Sequence, residues 1–328
     1  MRRLLGVALV TAVVVLGACT DDDGGDTSDE TTDATTDDSE ASAGSVRVVT
    51  LNQLHGLFCV DNDFCHAPDR VQLLYDELEA ADCPELVGLQ EIGPRQEELI
   101  PPSLNEVCDG EYELAWEAEP GPDRSMILSR LPIVDQGYLD LAAFPWAAYW
   151  VRVDSDIGTV DFLTTHFASS SNNPICTAEI CPPVCTPGID TNRCNALEVV
   201  DFLDRTADPD GVTIVGGDLN ATPGEPTVET FLDAGYFDAW LEAGNAECDP
   251  ETGEGCTGGA NDETALAGMD IETRAMNERI DYLMVRAGGD CAAVAEVEGF
   301  ANEPLDEPVN GLFFMADHTG LLGTVTCG

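Results

Sequence analysis

Six polar clusters stand just beyond short apolar runs in this chain: Asn52; Gln90-Glu91; His166 in TTHFASS; Asp218-Leu219-Asn220 in VGGDLN; Asp281 in RIDYL; and Asp317-His318 in ADH. Loops fixed on a rigid scaffold are where proteins place groups that bind or react. Taken singly, each cluster is ambiguous. Gly-Gly-Asp-Leu-Asn equally makes a turn, and a Thr-Thr-His equally carries a structural histidine. Taken together they supply hard oxygen ligands, two of the chain's four histidines, and two asparagine amides. Carboxylate and carbonyl oxygens suit Mg²⁺, Mn²⁺ or Ca²⁺ rather than zinc. A cation to neutralise charge, donors for phosphoryl oxygens and a base for water are what hydrolysis of a phosphate ester requires.

The elements that must hold these groups follow from periodicity. Val46–Leu51 is a β-branched run ending at Asn52, and residues 86–89 are a short apolar run ending at Gln90-Glu91. Between them Val71, Leu74, Tyr75 and Leu78 recur at helical spacing after Pro68. A second helix begins at Gly93-Pro94 and is expected to break at Pro101-Pro102. Strands are expected at 112–117, 125–129, 133–140, 147–153 and 159–165, then a helix over 194–204. Further strands are expected at 212–215, 279–285, 292–297 and 321–326. Alternating strands and helices in front, with consecutive strands in the middle, predict an α/β fold: a four-layer α/β/β/α sandwich. Two mixed sheets pack face to face with helices outside.

The N-terminus reads as an address. Residues 1–18 hold two arginines, an apolar run too short for a stop-transfer span, and small residues before Cys19. Leu16-Gly17-Ala18-Cys19 resembles a bacterial lipobox, so Cys19 is the expected lipidation site. Residues 19–45 lack aromatic and branched aliphatic side chains apart from threonine, and form an expected acidic tether. The catalytic domain is then 46–328. The expected location is the bacterial cell envelope or outside it, held to membrane through Cys19, and the expected state is a monomer.

All 13 basic residues are arginine, and residues 46–328 keep 11 of them against 53 acids, a formal net charge of −42. Such a surface repels polyanions at moderate salt and stays soluble at high salt. Twelve cysteines follow Cys19, an even number that suits disulfides in an oxidising compartment. Proximity favours Cys59–Cys65, Cys83–Cys108, Cys248–Cys256 and Cys291–Cys327, with two bridges inside the 176–194 cluster. A zinc site in that cluster is the rival, but no pair has Cys-x-x-Cys spacing.

The order Asn, Gln-Glu, Thr-His, Gly-Asp-x-Asn, Arg-Ile-Asp-Tyr, Asp-His resembles the endonuclease/exonuclease/phosphatase superfamily from about Val46 to Thr326. The resemblance extends to ELVGLQE before the glutamate and SMILSRLPI at 125–133. It implies a metal-dependent phosphoesterase using Mg²⁺ (or Mn²⁺/Ca²⁺). By the same resemblance Glu91 is the principal metal ligand, with Asn52 and Asp317 on the metal side. Asn220 and His166 donate to phosphoryl oxygens, Asp218 and His318 flank the attacking water, and Asp281 orients His318. His318 is read as the base, with Asp218 as the alternative.

Three positions depart from or extend the pattern. Leu54 stands where some members carry an acid, Ala196 where a glutamine is common, and His55 has no family role and reads as a loop histidine. Of the motif-adjacent residues only Arg193 and Arg279 are basic, which favours a diester with one charge over a monoester dianion. The substrate is then nucleic acid or a phospholipid head group. The alternatives are an inositol polyphosphate-type phosphomonoesterase and a non-catalytic surface lipoprotein. Residues 144–150, FPWAAYW, are the candidate apolar loop for a lipid substrate, and the Cys-rich loops 168–194 and 244–268 are expected to wall the pocket.

Overall fold

The computed structural model describes residues 44–57, 59, 63–115, 124–141, 147–169, 173–179, 181–259, 266, 268–289, 291 and 293–328. The chain divides into residues 1–41 and a unit over 42–328. The expected signal peptide, Cys19 and the expected tether up to residue 43 lie outside the described residues.

Strands β1 (Ser45–Asn52), β2 (Leu86–Ile92), β3 (Glu113–Ala115), β4 (Arg124–Ser129), β11 (Ala293–Phe300) and β12 (Gly320–Cys327) form one sheet. The remaining six are β5 (Ile133–Asp140), β6 (Ala147–Ser155), β7 (Gly158–His166), β8 (Val212–Asp218), β9 (Phe237–Asp238) and β10 (Asp281–Arg286). The spatial orders are β11-β12-β1-β2-β4-β3 and β5-β6-β7-β8-β10-β9. Each sheet has one parallel pair at its centre, β1 with β2 and β7 with β8, and antiparallel neighbours around it. Parallel neighbours need a crossover. Helices α1 (Ala67–Ala80) and α3 (Thr191–Thr206) lie within those two connections, and α2 (Pro94–Ser103), α4 (Pro226–Asp233) and α5 (Ala239–Glu242) follow strand ends.

The layers can be read from single strands. Within β1, Val46 and Val48 enter the core between the sheets, with Phe162, Ile214 and Leu283 of the opposite sheet. Val49 and Leu51 point the other way, into a core with Leu74, Leu78 and Ile100 of α1 and α2. On the far side Leu163, Val215 and Met284 pack with Val199, Leu203 and Phe231 of α3 and α4. Three apolar cores therefore separate four layers. Strands that bury both faces are rich in apolar residues on both, as β1, β8 and β10 are.

Around the parallel pairs the sheets come very close. A Cβ on Gly88 would lie 2.7 Å from the Thr164 hydroxyl, and one on Gly216 would lie 3.2 Å from the Thr50 side chain. Glycine at these positions lets polar groups reach across. The Gln90 amide does so, donating to the hydroxyls of Thr50 (3.0 Å) and Thr164 (2.7 Å). Gln90 is thus a buried strut between the sheets.

The helix α2 continues through Pro101-Pro102 to Ser103 instead of breaking there. Both prolines fall in its last turn, where only two backbone N–H groups are forgone. The expected strand at 112–117 is seen as Glu113–Ala115, and residues 116–123 lie outside the described residues. All six disulfides form: Cys59–Cys65, Cys83–Cys108, Cys176–Cys181, Cys185–Cys194, Cys248–Cys256 and Cys291–Cys327. Every cysteine of the 176–194 cluster is thereby engaged, so the zinc alternative falls. Of FPWAAYW, residues 144–146 lie outside the described residues, and Tyr149 and Trp150 are buried in β6. Trp150 donates its indole N–H to Asp161, as a core residue does.

Candidate active site

Register places the polar clusters at one end of the sandwich, by the carboxyl ends of the parallel strands, where α/β sheets bind ligands. Asn52 ends β1 beside Gln90 of β2. His166 ends β7 directly beside Asp218, which ends β8, and Asp281 opens β10 opposite the same Asp218. His318 and Asp317 precede β12. Asn52 links the sheets: its Nδ2 donates to Glu91 Oε1 (3.0 Å) and to Asp218 Oδ2 (3.1 Å), while its Oδ1 accepts the Leu54 N–H (3.0 Å).

Three residues at the site hold strained backbone. Glu91, Asn220 and Leu54 have φ of 54°, 47° and 53°, in the left-handed region. Each such residue costs about 1–3 kcal/mol and persists only where its surroundings over-determine it. The β2–β4 register shifts between Leu89 and Ile92, so the irregularity turns Glu91 out of the ladder.

The groups sort into an acidic pole, a donor pair and a dyad. At the acidic pole, burial would raise the Glu91 carboxyl, but His166, His55 and the Asn52 amide hold it below its ordinary value. Asp317 is pushed up, first by burial and then by repulsion from Glu91, against the pull of His318. Its Oδ1 is buried and has no hydrogen-bond partner among the described residues. Two half-buried carboxylates that repel each other, one with an orphaned oxygen, fit a bound cation. Glu91 and Asp317 would hold it, and Asn52, as placed, presents its NH₂ to Glu91 and serves as a clamp.

The donor pair is Asn220 and His166. Asn220 Nδ2 lies 3.0 Å from His166 Nε2 and 3.0 Å from the Phe167 carbonyl, and its N–H donates to Asp218 Oδ1 (2.8 Å). His166 Nε2 is also 3.6 Å from Asp218 Oδ2 and 3.8 Å from Glu91 Oε1. In the dyad, His318 Nδ1 is 2.9 Å from Asp281 Oδ2, and Nε2 is 3.9 Å from Asp218 Oδ2, a gap that suits a bridging water. Burial would lower the His318 ring, but Asp281, with Asp218 and Asp317, raises it well above its ordinary value. Burial and then Asp281 push Asp218 up to about 6, against the histidines. The ligand atoms of Asp218, Asp281 and His318 lie within 4.8 Å of one another, so this wall too has cation-binding groups.

All eight expected site residues therefore converge, and the structure adds others. His55, to which the family resemblance assigns no role, sits against Glu91: its backbone N–H donates to Oε2 (3.2 Å) and its Nε2 is 3.6 Å from the same oxygen. Thr257 follows the Cys248–Cys256 bridge, and its hydroxyl accepts the N–H groups of Ile280 (3.1 Å) and Asp281 (3.0 Å). Its carbonyl accepts the Thr319 N–H (2.8 Å), so this Cys-rich loop braces both members of the dyad. Asn192, after the other loop, donates to the carbonyls of Ala168 and Leu219 (both 2.8 Å), behind His166 and Asn220.

Arg279 corrects an expectation. It is not a cation facing the site, because its guanidinium is buried in ion pairs with Asp238 (2.8 Å) and Glu247 (2.7 Å). Arg274 is likewise spent on the carbonyls of Ala316 and His318.

The sequence profile of the Endonuclease/Exonuclease/phosphatase family matches residues 49–303, ending short of Asp317 and His318, which the fold brings in. No curated protein matches the chain in sequence. Among solved structures, D. rerio TDP2 complexed with single strand DNA product shares 16% identity over 86% of this chain and 99% of its own, with a TM-score of 0.60. Truncated Caenorhabditis elegans TDP2 shares 16% over 86% of this chain and 98% of its own, at 0.60. An endonuclease/exonuclease/phosphatase from Bacteroides vulgatus shares 17% over 87% and 99%, at 0.59. Those likenesses establish the fold, and the profile establishes the kinship: the chain belongs to the endonuclease/exonuclease/phosphatase family, whose members are in general metal-dependent phosphoesterases.

Proposed function

We propose that this protein is an exported, lipid-anchored phosphodiesterase that uses Mg²⁺ (or Mn²⁺/Ca²⁺) and water to cleave a phosphate diester. The observation that carries this reading is the convergence of an acidic pole, a donor pair and an Asp281–His318–Asp218 wall on one opening. Glu91 and Asp317 would hold a cation that, when bound, would supply charge neutralisation at the phosphoryl group. Asn220 and His166 donate to non-bridging oxygens. Asp218, ionised above about 6 and 3.9 Å from His318 Nε2, is better placed than His318 to accept the proton of water. His318, kept charged by Asp281, stabilises the negative charge that builds up. This reverses the assignment of the base that sequence alone suggests.

The preference for a diester rests on charge. Among the described residues, Arg70, Arg274 and Arg279 are held by backbone carbonyls or acids, which leaves little to meet a dianion. Nucleic acid comes ahead of a phospholipid head group, because the similar TDP2 fold was captured with single-strand DNA and the FPWAAYW strand residues are core. Bis-p-nitrophenyl phosphate, plasmid DNA and sphingomyelin should be turned over faster than p-nitrophenyl phosphate and soluble inositol polyphosphates. Faster monoester turnover would move the protein to the phosphatase reading.

Export rests on the lipobox-like segment and on twelve cysteines that find partners in pairs. Intact-mass analysis of the mature protein should show cleavage before Cys19, added diacylglycerol and no free thiol. A product starting elsewhere would refute the anchor.

A further inference from the structure

His55 lies on a loop held from several sides. Arg70, fully buried, donates to the carbonyls of Gln53 and Leu54, and the Gln96 amide donates to Leu54 as well (2.9 Å). The loop also presses on the turn after β2, where a Cβ on Gly93 would lie 2.4 Å from the His55 carbonyl oxygen. The ring itself is oriented: Nδ1 accepts the Leu57 N–H at 3.0 Å. An Nδ1 that accepts is unprotonated, so in the neutral ring the proton is on Nε2. Nε2 lies 3.6 Å from Glu91 Oε2, an electrostatic contact longer than a hydrogen bond, to the oxygen that also takes the His55 backbone N–H. The side chain is 12% exposed, so water competes little for this position.

On the footing of the proposed function, we infer that His55 is a positioning residue for the metal-holding carboxylate: its backbone N–H donates to Glu91 Oε2 and its ring edge makes an electrostatic contact with the same oxygen, while Asn52 donates to Oε1. With the proton on Nε2, the ring presents a positive edge to Glu91 and no lone pair to a metal. Groups of this kind behind a ligand typically account for 10–100-fold in metal affinity. The ring is the only part a side-chain substitution removes, so its share is separable from that of the backbone N–H.

The test is titration calorimetry of Mn²⁺ into metal-stripped wild type, His55→Ala, His55→Gln and Glu91→Gln, with thermal unfolding to confirm that each is folded. His55→Ala should weaken Mn²⁺ binding about 10–100-fold. His55→Gln, whose amide nitrogen reaches about as far as Nε2, should restore most of it. With Mn²⁺ saturating, KM for bis-p-nitrophenyl phosphate should stay at the wild-type value. Unchanged Mn²⁺ affinity in His55→Ala, or an effect confined to KM, would overturn this inference alone, provided Glu91→Gln still abolishes binding. Absence of Mn²⁺ binding in wild type would instead bring down the proposed function.

Discussion

Glu91→Gln should lower kcat/KM by about 10³-fold or more, since a bound metal supplies several kcal/mol of transition-state stabilisation and each 1.36 kcal/mol is tenfold. The substitution keeps size and removes the formal charge on which a cation at this pole depends. The carboxylate accepts from Asn52 Nδ2 on one oxygen and from the His55 N–H on the other. A glutamine can satisfy only one of these donors with its oxygen, so about 1–3 kcal/mol of stability is also at risk. That is small against the three cores, and the fold should survive. Activity at saturating Mg²⁺, calorimetric metal titration and thermal unfolding separate the two effects. A folded variant with activity within tenfold of wild type would dislodge the metal from Glu91.

The fold was legible because its strands bury both faces. Runs such as Val46–Leu51 and residues 212–215 are β-branched and mostly apolar on both faces, and the helical spacing of Val71, Leu74 and Leu78 between the runs at 46–51 and 86–89 marks a crossover. The helices α4 and α5 went unread because eight and four residues give too few turns for periodicity to register. At the site, polar residues placed directly after strand ends were legible, since register alone aligns His166, Asp218 and Asp281 in one row. What sequence hides is which direction a loop side chain takes. His55 is legible only once Arg70, Gln96 and Gly93 are seen to hold its loop against Glu91. The same holds for Arg279, which stands two residues before Asp281 in the row yet turns away to Asp238 and Glu247.

Asp218→Asn should abolish turnover and at the same time make the protein more stable at alkaline pH. Burial, with Asp281 beside it, raises the Asp218 carboxyl from 3.8 to about 6, although His318 and His166 pull the other way. A native value above the unfolded one means that the folded state keeps its proton to higher pH. The group therefore weakens stability as pH climbs from about 4 through 6, and its full cost of about 3 kcal/mol is present above that. An uncharged asparagine escapes this cost, and its oxygen can still accept the Asn220 N–H that Asp218 takes at 2.8 Å. Its NH₂ then meets the Asn52 donor that Asp218 Oδ2 accepts at 3.1 Å, which returns part of the gain. The net should be on the order of 1–2 kcal/mol at pH 8. In urea unfolding the advantage over wild type should shrink as pH falls through 6 towards 4 and vanish below that, where both states hold the proton. Wild-type kcat/KM should correspondingly fall as pH drops through about 6, as the carboxylate that accepts the proton of water is lost. Equal stabilities at pH 8 would show that Asp218 is not a strained charge, and a variant that still turns over substrate would show that it is not the base. A group that destabilises the fold it belongs to and is indispensable to the reaction is the expected signature of catalysis at this position.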